Sequence, residues 1–599
     1  MSTPAGADDV SELVGAYGHS PCELLDMLWA LQRRFGYIST AAATEVAAQL
    51  GISAEDVFET ATFYHFFHTE PAGRYQIYLS HTVIAEHAGY WDVRAALENA
   101  TGCRFGGPAT ADFGLFDTAC IGMSDHEPAM LIDGIVFIDL NPDSVITIIE
   151  ALKDGQTPAQ IANPQTLPED ELAYIETLTR PAIHSDGPVF FGGDDGHRQL
   201  LQRCRAQSPE AVIDAIAESR LRGRGGAGFP TGTKWRACRE ATGPIKYIIC
   251  NADEGEPGTF KDRAILTYAP RDVLAGMAIA AHAVGASQGI LYLRAEYMFL
   301  LAYLERQLDE LRRTGVLGVE FDIRIQLGAG SYVCGDESAL IESCEGKRGT
   351  PRLKPPFPVE HGYLGRPTVV NNVETLAAVT AIMRRGPSWF AGMGTEESSG
   401  TRLLSVSGDC AAPGIYEVPW GISLAEVLDM IGATDPRAVQ ISGPSGEMLS
   451  VVADSHRLMA YEDLSCNGSF MVFNDRRDLL GVVANFADFF VAESCGICVP
   501  CRAGTVFLRQ KIELVAAGRA VDSDLADLRS WSKVVADNSR CGLGSSAPNP
   551  ILSTLTKFPE IFNERLGRHP VSLLTSFDET AELSDYARAV TELAPQEMV

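Results

Sequence analysis

The stretch ESCGICVPCRAGT, from Glu493 to Thr505, constrains the fold of this chain more than any other. Cys495, Cys498 and Cys501 stand at two-residue intervals, so three soft thiolates converge from one short loop on a single inorganic centre. Such a centre takes a fourth ligand, and Cys541 in SRCGLG, about forty residues on, is the candidate. Four-thiolate sets hold iron–sulfur clusters and structural zinc alike. Three ligands crowded onto one loop suit the corners of a cubane better than the separated pairs of zinc knuckles, so a [4Fe–4S] cluster is favoured, with zinc as its rival. Three free buried thiols are the weakest reading of a loop flanked by Gly and Pro.

The rest of the chain is large enough to house such a centre in one of several domains. Its 599 residues, 46% of them hydrophobic, allow three to five separate cores. A formal charge of −30 argues against nucleic acid or an anionic membrane as partner of the surface as a whole. MSTPAGADDV lacks the basic start and apolar core of a signal peptide, and no apolar run approaches the roughly twenty residues that span a bilayer. The expected compartment is the cytoplasm, where the 14 cysteines read as cluster ligands and reduced core thiols rather than disulfides.

Leu24, Leu25, Leu28, Leu31 and Phe35, then Ala42, Val46 and Leu50, have helical spacing. Ser53 is placed as an N-cap three residues before Asp56, and the aromatic run ATFYHFF that follows is read as core. YQIYLS reads as a strand, Trp91 to Asn99 as a helix, and AMLIDGIVFIDL as a hairpin turning at Asp133-Gly134. Through GYIS, ATFYHFF, PAGRYQIYLS and TACIGMSDHEP, this part resembles the thioredoxin-like ferredoxin subunit of respiratory complex I. The resemblance implies four [2Fe–2S] ligand positions, which here carry Ser80, Ala85, Cys120 and Ser124. One thiolate among two hydroxyls and a methyl cannot replace four thiolates, so a thioredoxin-like fold without its [2Fe–2S] cluster is expected. Cys120 then reads as a small buried hydrophobe.

Pro, Gly and polar residues place a linker at 166–195, after an N-terminal unit at 1–165. From 196 to 398 helical and strand patterns alternate, with KYIIC, GILYLR and FDIRIQL as strands, which predicts a mainly parallel α/β sheet. Gly223, Gly225 and Gly228 satisfy G-x-G-x-x-G, but the preceding residues read as a helix, so the loop lacks the strand that a dinucleotide fingerprint requires. It remains a phosphate loop, with glycines that admit a close approach and Arg222, Arg224 and Lys234 adding positive charge. NADEGEPGTFKDR and GAGSYVCGDESALIESCEGKRGTPRLKPPFP each begin at the end of a strand, where open α/β sheets bind ligands. Phe229 and Phe357 offer faces for stacking.

Together these loops resemble the NADH-oxidising, FMN-binding subunit of complex I and the diaphorase subunits of NAD-linked hydrogenases and formate dehydrogenases. That resemblance implies FMN against Gly223, Arg224, Gly225, Gly226, Lys234, Asn251, Asp253, Glu254, Tyr332, Gly335 and the Asn371-Asn372 pair. It implies NAD(H) on Phe229, with Glu256, Glu337, Lys354 and Phe357 lining its site. At Asp336 the usual residue is Glu, one carbon longer. No side-chain nucleophile or general acid is demanded, so no catalytic residue is assigned.

Residues 399–478 read as short strands (LLSVSG, AVQIS, SFMVF) around one helix, a β-grasp-like spacer without an evident ligand. Residues 479–599 read as a helical bundle carrying the cluster, with a mobile end at QEMV. The fold expected is thus multidomain α/β, and the cofactors are FMN, NAD(H) and one [4Fe–4S] cluster. An N-terminal module stripped of cluster ligands is similar to that of bidirectional NAD-reducing soluble [NiFe] hydrogenases. The expected partners are an iron–sulfur electron-transfer subunit and hydrogenase subunits of a hetero-oligomer. An NAD-linked formate dehydrogenase, a complex I-like NADH dehydrogenase and a non-enzymatic assembly protein are the alternatives.

Overall fold

The computed structural model describes residues 7–162, 171–179, 183–184, 187–192 and 196–567. The N-terminal part opens with the helices Ala7–Ala16, Leu24–Phe35, Thr40–Leu50 and Ala54–Phe63. The last is started by a reciprocal cap, in which Ser53 Oγ accepts from Asp56 N at 3.1 Å and the Asp56 carboxylate accepts from Ser53 N at 3.2 Å. A four-stranded sheet follows in the order β2-β1-β3-β4, with β1 at Tyr75–Ser80, β2 at Phe113–Thr118, β3 at Met130–Ile132 and β4 at Ile135–Phe137. Strands β1 and β2 are parallel, whereas β3 and β4 form a hairpin. Asp133 and Gly134 turn that hairpin with φ of 51° and 80°, the paired left-handed conformation that matches strand twist. Ile77, Leu79 and Leu115 of the sheet pack under the helices Tyr90–Thr101 and Pro142–Lys153, completing a thioredoxin-like unit.

The central sheet is wholly parallel, ordered β7-β6-β5-β8, with β5 at Tyr247–Ala252, β6 at Gln288–Leu293, β7 at Asp322–Leu327 and β8 at Thr368–Asn372. The apolar runs YIIC of β5 and ILYL of β6 are what inner strands of a sheet covered on both faces require. The helices Pro270–Val284 and Val373–Arg385 press together over it so closely that a Cβ on Gly276 would lie 2.1 Å from the Leu376 carbonyl oxygen. From β5 the chain runs outward through β6 and β7 and then returns to β8 on the other side. The crevice at such a reversal, beyond the strand C-termini, is where open α/β sheets bind ligands. The loops after β5, β7 and β8 meet there.

The third sheet is mixed, ordered β10-β9-β13-β11-β12, and packs on the capped helix Leu424–Met430. Besides the expected strands β9 (Thr401–Gly408), β11 (Pro436–Ile441) and β13 (Ser469–Asn474), it carries two edge strands, β10 (Gly414–Pro419) and β12 (Met448–Ser450). The helices Leu479–Glu493, Val499–Ala516, Asp522–Asn538 and Asn549–Lys557 close the described chain around Leu480, Val483, Leu508, Ile512 and Leu528. The QEMV end lies outside the described residues. Within the stretch read as a linker, the Glu171–Thr179 helix buries Ile175 and Leu178, and the backbone N–H groups of Val189 and Phe190 donate to Glu417. Among the described residues no helix is long and apolar enough to cross a membrane.

Candidate functional site

A cleft of about 1310 Å³ opens at the C-terminal edge of the central sheet, and all seventeen residues assigned above to FMN and NAD(H), together with Asp336, line it. Its floor is the glycine loop between the helices Pro209–Glu218 and Thr231–Glu240, pinched by a Gly223 N to Phe229 O bond of 2.9 Å. A Cβ at Gly223, Gly226 or Gly335 would meet no protein atom closer than 3.6 Å. Those positions therefore owe nothing to protein packing, and their bareness leaves the backbone open to a ligand. Gly225 is tighter, 3.3 Å from the Asn372 side chain.

The cations divide differently from the sequence expectation. The Arg224 guanidinium turns inward, donating to Ser399 O at 2.8 Å beside the Trp420 ring at 5.2 Å, so it ties the mixed-sheet domain to the loop and adds no phosphate-facing charge. Arg222 pairs with Glu397 at 3.3 Å. Lys234 does stand in the cleft, bonded to Glu337 at 2.7 Å and to the Val370 carbonyl at 2.9 Å. Lys354 reaches the same carboxylate at 3.8 Å and Asp336 at 3.2 Å. Asp336 caps the Glu337–Cys344 helix, accepting from Ser338 N at 2.8 Å. This gives the shorter residue a physical reason, since Asp is a far better N-cap than Glu. Burial opposes its ionisation, but Lys354 and the Ser338 hydrogen bonds outweigh that and hold its pKa below the usual range.

The loop after β5 supplies the opposite wall. Asn251 Nδ2 donates to Gly335 O at 2.9 Å and its Oδ1 accepts from Asp253 N at 3.0 Å, which locks two of the loops together. Asp253 Oδ2 is buried without a hydrogen-bond partner, and burial pushes its pKa well up. Such an atom is costly unless a ligand satisfies it. The Glu254 carboxylate accepts from the N–H groups of Asp262 and Arg263 at 2.9 and 3.2 Å. Glu256 is held between Tyr332 OH at 2.7 Å and Ser445 N at 2.9 Å, and burial pushes its pKa to about 7 against those hydrogen bonds. Asn371 accepts from Trp235 Nε1 at 2.9 Å, and Asn372 donates to Asp262 at 2.6 Å while capping the Val373–Arg385 helix. Phe229 and Phe357 are 52% and 50% exposed, two unpartnered faces at the cleft. Bare glycines, an orphan carboxyl oxygen, three lysines and two open aromatic faces fit a flavin nucleotide beside a nicotinamide dinucleotide.

The four cysteines also come together. Cys495, Cys498, Cys501 and Cys541 line one small pocket with Val333, Ile497 and Leu543. Burial raises the thiol pKa of Cys501 to about 12 and of Cys541 to about 11. Arg348 donates to the Cys495 carbonyl and Arg502 to the Gly496 carbonyl at 3.0 Å, which shapes the loop. Cys541 and Leu543 line the large cleft as well, so the two sites share a wall.

At the N-terminal positions matched to cluster ligands, Ser80 Oγ donates to the half-buried Glu127 at 2.6 Å. Ala85 is fully buried, and Cys120 Sγ lies 3.5 Å from Ser124 Oγ. Burial pushes the Glu127 pKa to about 8. Lys261 and Asp262, within the NADEGEPGTFKDR loop, join the cleft without having been singled out. So do Ser442, Ser445 and Asn467 of the mixed-sheet domain, which was expected to be a spacer only. Only an N-terminal serine or asparagine beside a turn could have marked them, and that signal is common to most loops.

Three families match, in an order that follows the domains. The thioredoxin-like [2Fe-2S] ferredoxin family matches residues 10–153, the Nuo51 FMN-binding domain 216–381, and the NADH-ubiquinone oxidoreductase-F iron-sulfur binding region 481–565. The class is thus that of flavin-binding, iron–sulfur NAD(H) oxidoreductase subunits. The NAD-reducing hydrogenase HoxS subunit alpha of Cupriavidus necator is 57% identical over 593 residues, covering 98% of both chains. The NADP-reducing hydrogenase subunit HndC of Solidesulfovibrio fructosivorans is 43% identical over 60% of this chain and 76% of its own. A crystal structure of NAD+-reducing [NiFe]-hydrogenase in the H2-reduced state superposes with a TM-score of 0.86 at 40% identity, covering 97% of this chain and 98% of that one. The chain belongs to the family of NAD-reducing hydrogenase alpha subunits.

Proposed function

We propose that this chain is the diaphorase subunit of a cytoplasmic, bidirectional NAD-reducing hydrogenase. In this reading NAD(H) and FMN share the large cleft and electrons leave toward an iron–sulfur partner subunit through one [4Fe–4S] cluster. The observation that carries it is the shared wall: Cys541 lines both the cleft and the four-cysteine pocket. FMN, when bound, supplies the exchange between two-electron hydride chemistry and single electrons.

The chain's own residues bind, orient and exclude water. Gly223, Gly225, Gly226, Asn251, Asp253, Glu254, Gly335, Asn371 and Asn372 would hold FMN, with Lys234 as a local cation. Phe229 and Phe357 stack the dinucleotide, and Glu337 with Lys354 fixes its nicotinamide half. Cys495, Cys498, Cys501 and Cys541 hold the cluster. Four thiols lining one pocket are the donor set that a cubane cluster takes. The N-terminal site does not fit a [2Fe–2S] cluster, because Ser80 is bonded to Glu127 and only Cys120 offers a thiolate. The likeness to the ferredoxin family is then one of fold.

Purified native complex tests this reading. Hydrogen-dependent NAD+ reduction, with one FMN on this chain, is expected; formate-dependent reduction without a response to hydrogen would overturn the partner assignment.

A further inference from the structure

One turn of the N-terminal module, Cys120 to Asp125, is threaded into the back of the flavin loop. The Cys120 carbonyl accepts from Arg294 Nη2 at 2.6 Å, and the Gly122 carbonyl accepts from Arg263 Nη1 at 2.5 Å. Asp125 pairs with Arg263 Nη2 at 2.6 Å, with both side chains at most 1% exposed. Gly122 has φ of 77°, and a Cβ there would lie 2.3 Å from Tyr297 OH, so the turn is seated directly on that phenol. None of these residues lines the cleft.

Each of these contacts continues to Glu254, which does line it. Arg294 Nη1 donates to the Glu254 carbonyl, and the same guanidinium is oriented by Glu296 at 2.7 Å. Tyr297 OH donates to Glu254 Oε2 at 2.8 Å, and Arg263 N donates to the same oxygen at 3.2 Å. Glu254 is thereby fixed at its carbonyl and at its carboxylate by three residues, and each of the three rests on the Cys120–Asp125 turn. A rigid support of this kind is what holds a binding residue to its working geometry.

We propose that Arg294 and Arg263 are positioning residues through which the N-terminal module clamps the flavin-binding loop, so that this module, without transferring electrons, sets the affinity and the potential of the flavin. The proposal rests on FMN occupying the cleft. It gives the ferredoxin-like fold a role that needs its turn and not its thiolates.

The test uses full-length protein, freed of flavin and then titrated with FMN, with the flavin midpoint potential measured by spectroelectrochemistry. Arg294→Gln is expected to weaken FMN binding about tenfold or more, as loss of charge-assisted hydrogen bonds does. Asp125→Asn, remote from the cleft, is expected to weaken it about threefold and to displace the potential, and Asp125→Glu to restore both in part. If Arg294→Gln fails to fold, the Asp125 pair decides. FMN affinity within a factor of about two of wild type, with an unmoved potential, in folded Asp125→Asn protein would overturn the clamp. Wild-type protein that takes up no FMN would instead overturn the reading of the cleft.

Discussion

The two ends of the molecule both match iron–sulfur families and differ in the thiols they offer. In the C-terminal region four thiols still line one pocket, against the wall of the cleft. In the N-terminal module, of the four matching positions, Ser80 is hydrogen-bonded with its neighbour Thr82 to Glu127, and Cys120 lies against Ser124. A cluster needs all its ligands, whereas a fold needs only its core, so in the reading proposed above three missing thiolates remove the first and spare the second. Ile77, Leu79 and Leu115 continue to pack under their helices. What the N-terminal fold does make is a contact elsewhere, the seating of the Cys120–Asp125 turn on Arg263 and Arg294.

The same type of substitution at each end should separate them most widely. Cys498→Ala is expected to abolish the [4Fe–4S] EPR signal and electron delivery to partner subunits while FMN stays reducible by NADH; a cluster that persists would place the ligand set elsewhere. In the cleft between the two ends, Glu337→Ala leaves Lys234 and Lys354 without their shared carboxylate. It is expected to lower kcat/KM for NADH about tenfold, near 1.4 kcal/mol, with FMN retained, and steady-state kinetics on the flavin-loaded protein reads this directly. Glu256→Gln tests the junction with the mixed-sheet domain. Its folded pKa of about 7 lies above the usual carboxylate value, so the protonated form stabilises the fold at low pH, and that contribution is lost as pH rises through about 7. Wild type should therefore lose on the order of 2 kcal/mol relative to Glu256→Gln between about pH 5 and 7, measurable by denaturant unfolding. The smallest effect belongs to Cys120→Ala: less than about 1.5 kcal/mol of stability and no change in iron content.

Contiguous motifs made most of the site legible in the sequence. The loops after β5 and β7 announce themselves by following apolar strands, and a parallel sheet brings strand ends together whatever their separation. The cysteine run is local, but Cys541 joins it only through tertiary packing. Arg224 misled because nothing in a glycine-rich loop says which way a guanidinium turns; its partner Ser399 is about 175 residues away. Ser442, Ser445 and Asn467 were illegible because short polar residues in turns carry the same pattern whether or not a ligand lies beside them. Strands β10 and β12 escaped for a related reason, one ending in Pro419 and the other only three residues long, as edge strands commonly are.

The central claim is that this chain carries one cluster and that the N-terminal module carries none. Iron and acid-labile sulfide analysis of anaerobically purified chain, normalised to FMN and read alongside EPR of the reduced protein, tests it most directly. The account predicts about four irons and four sulfides per FMN, with a [4Fe–4S] signal alone. About six irons with a [2Fe–2S] signal would show that the N-terminal module still carries electrons, and zinc in place of iron would contradict the electron path itself.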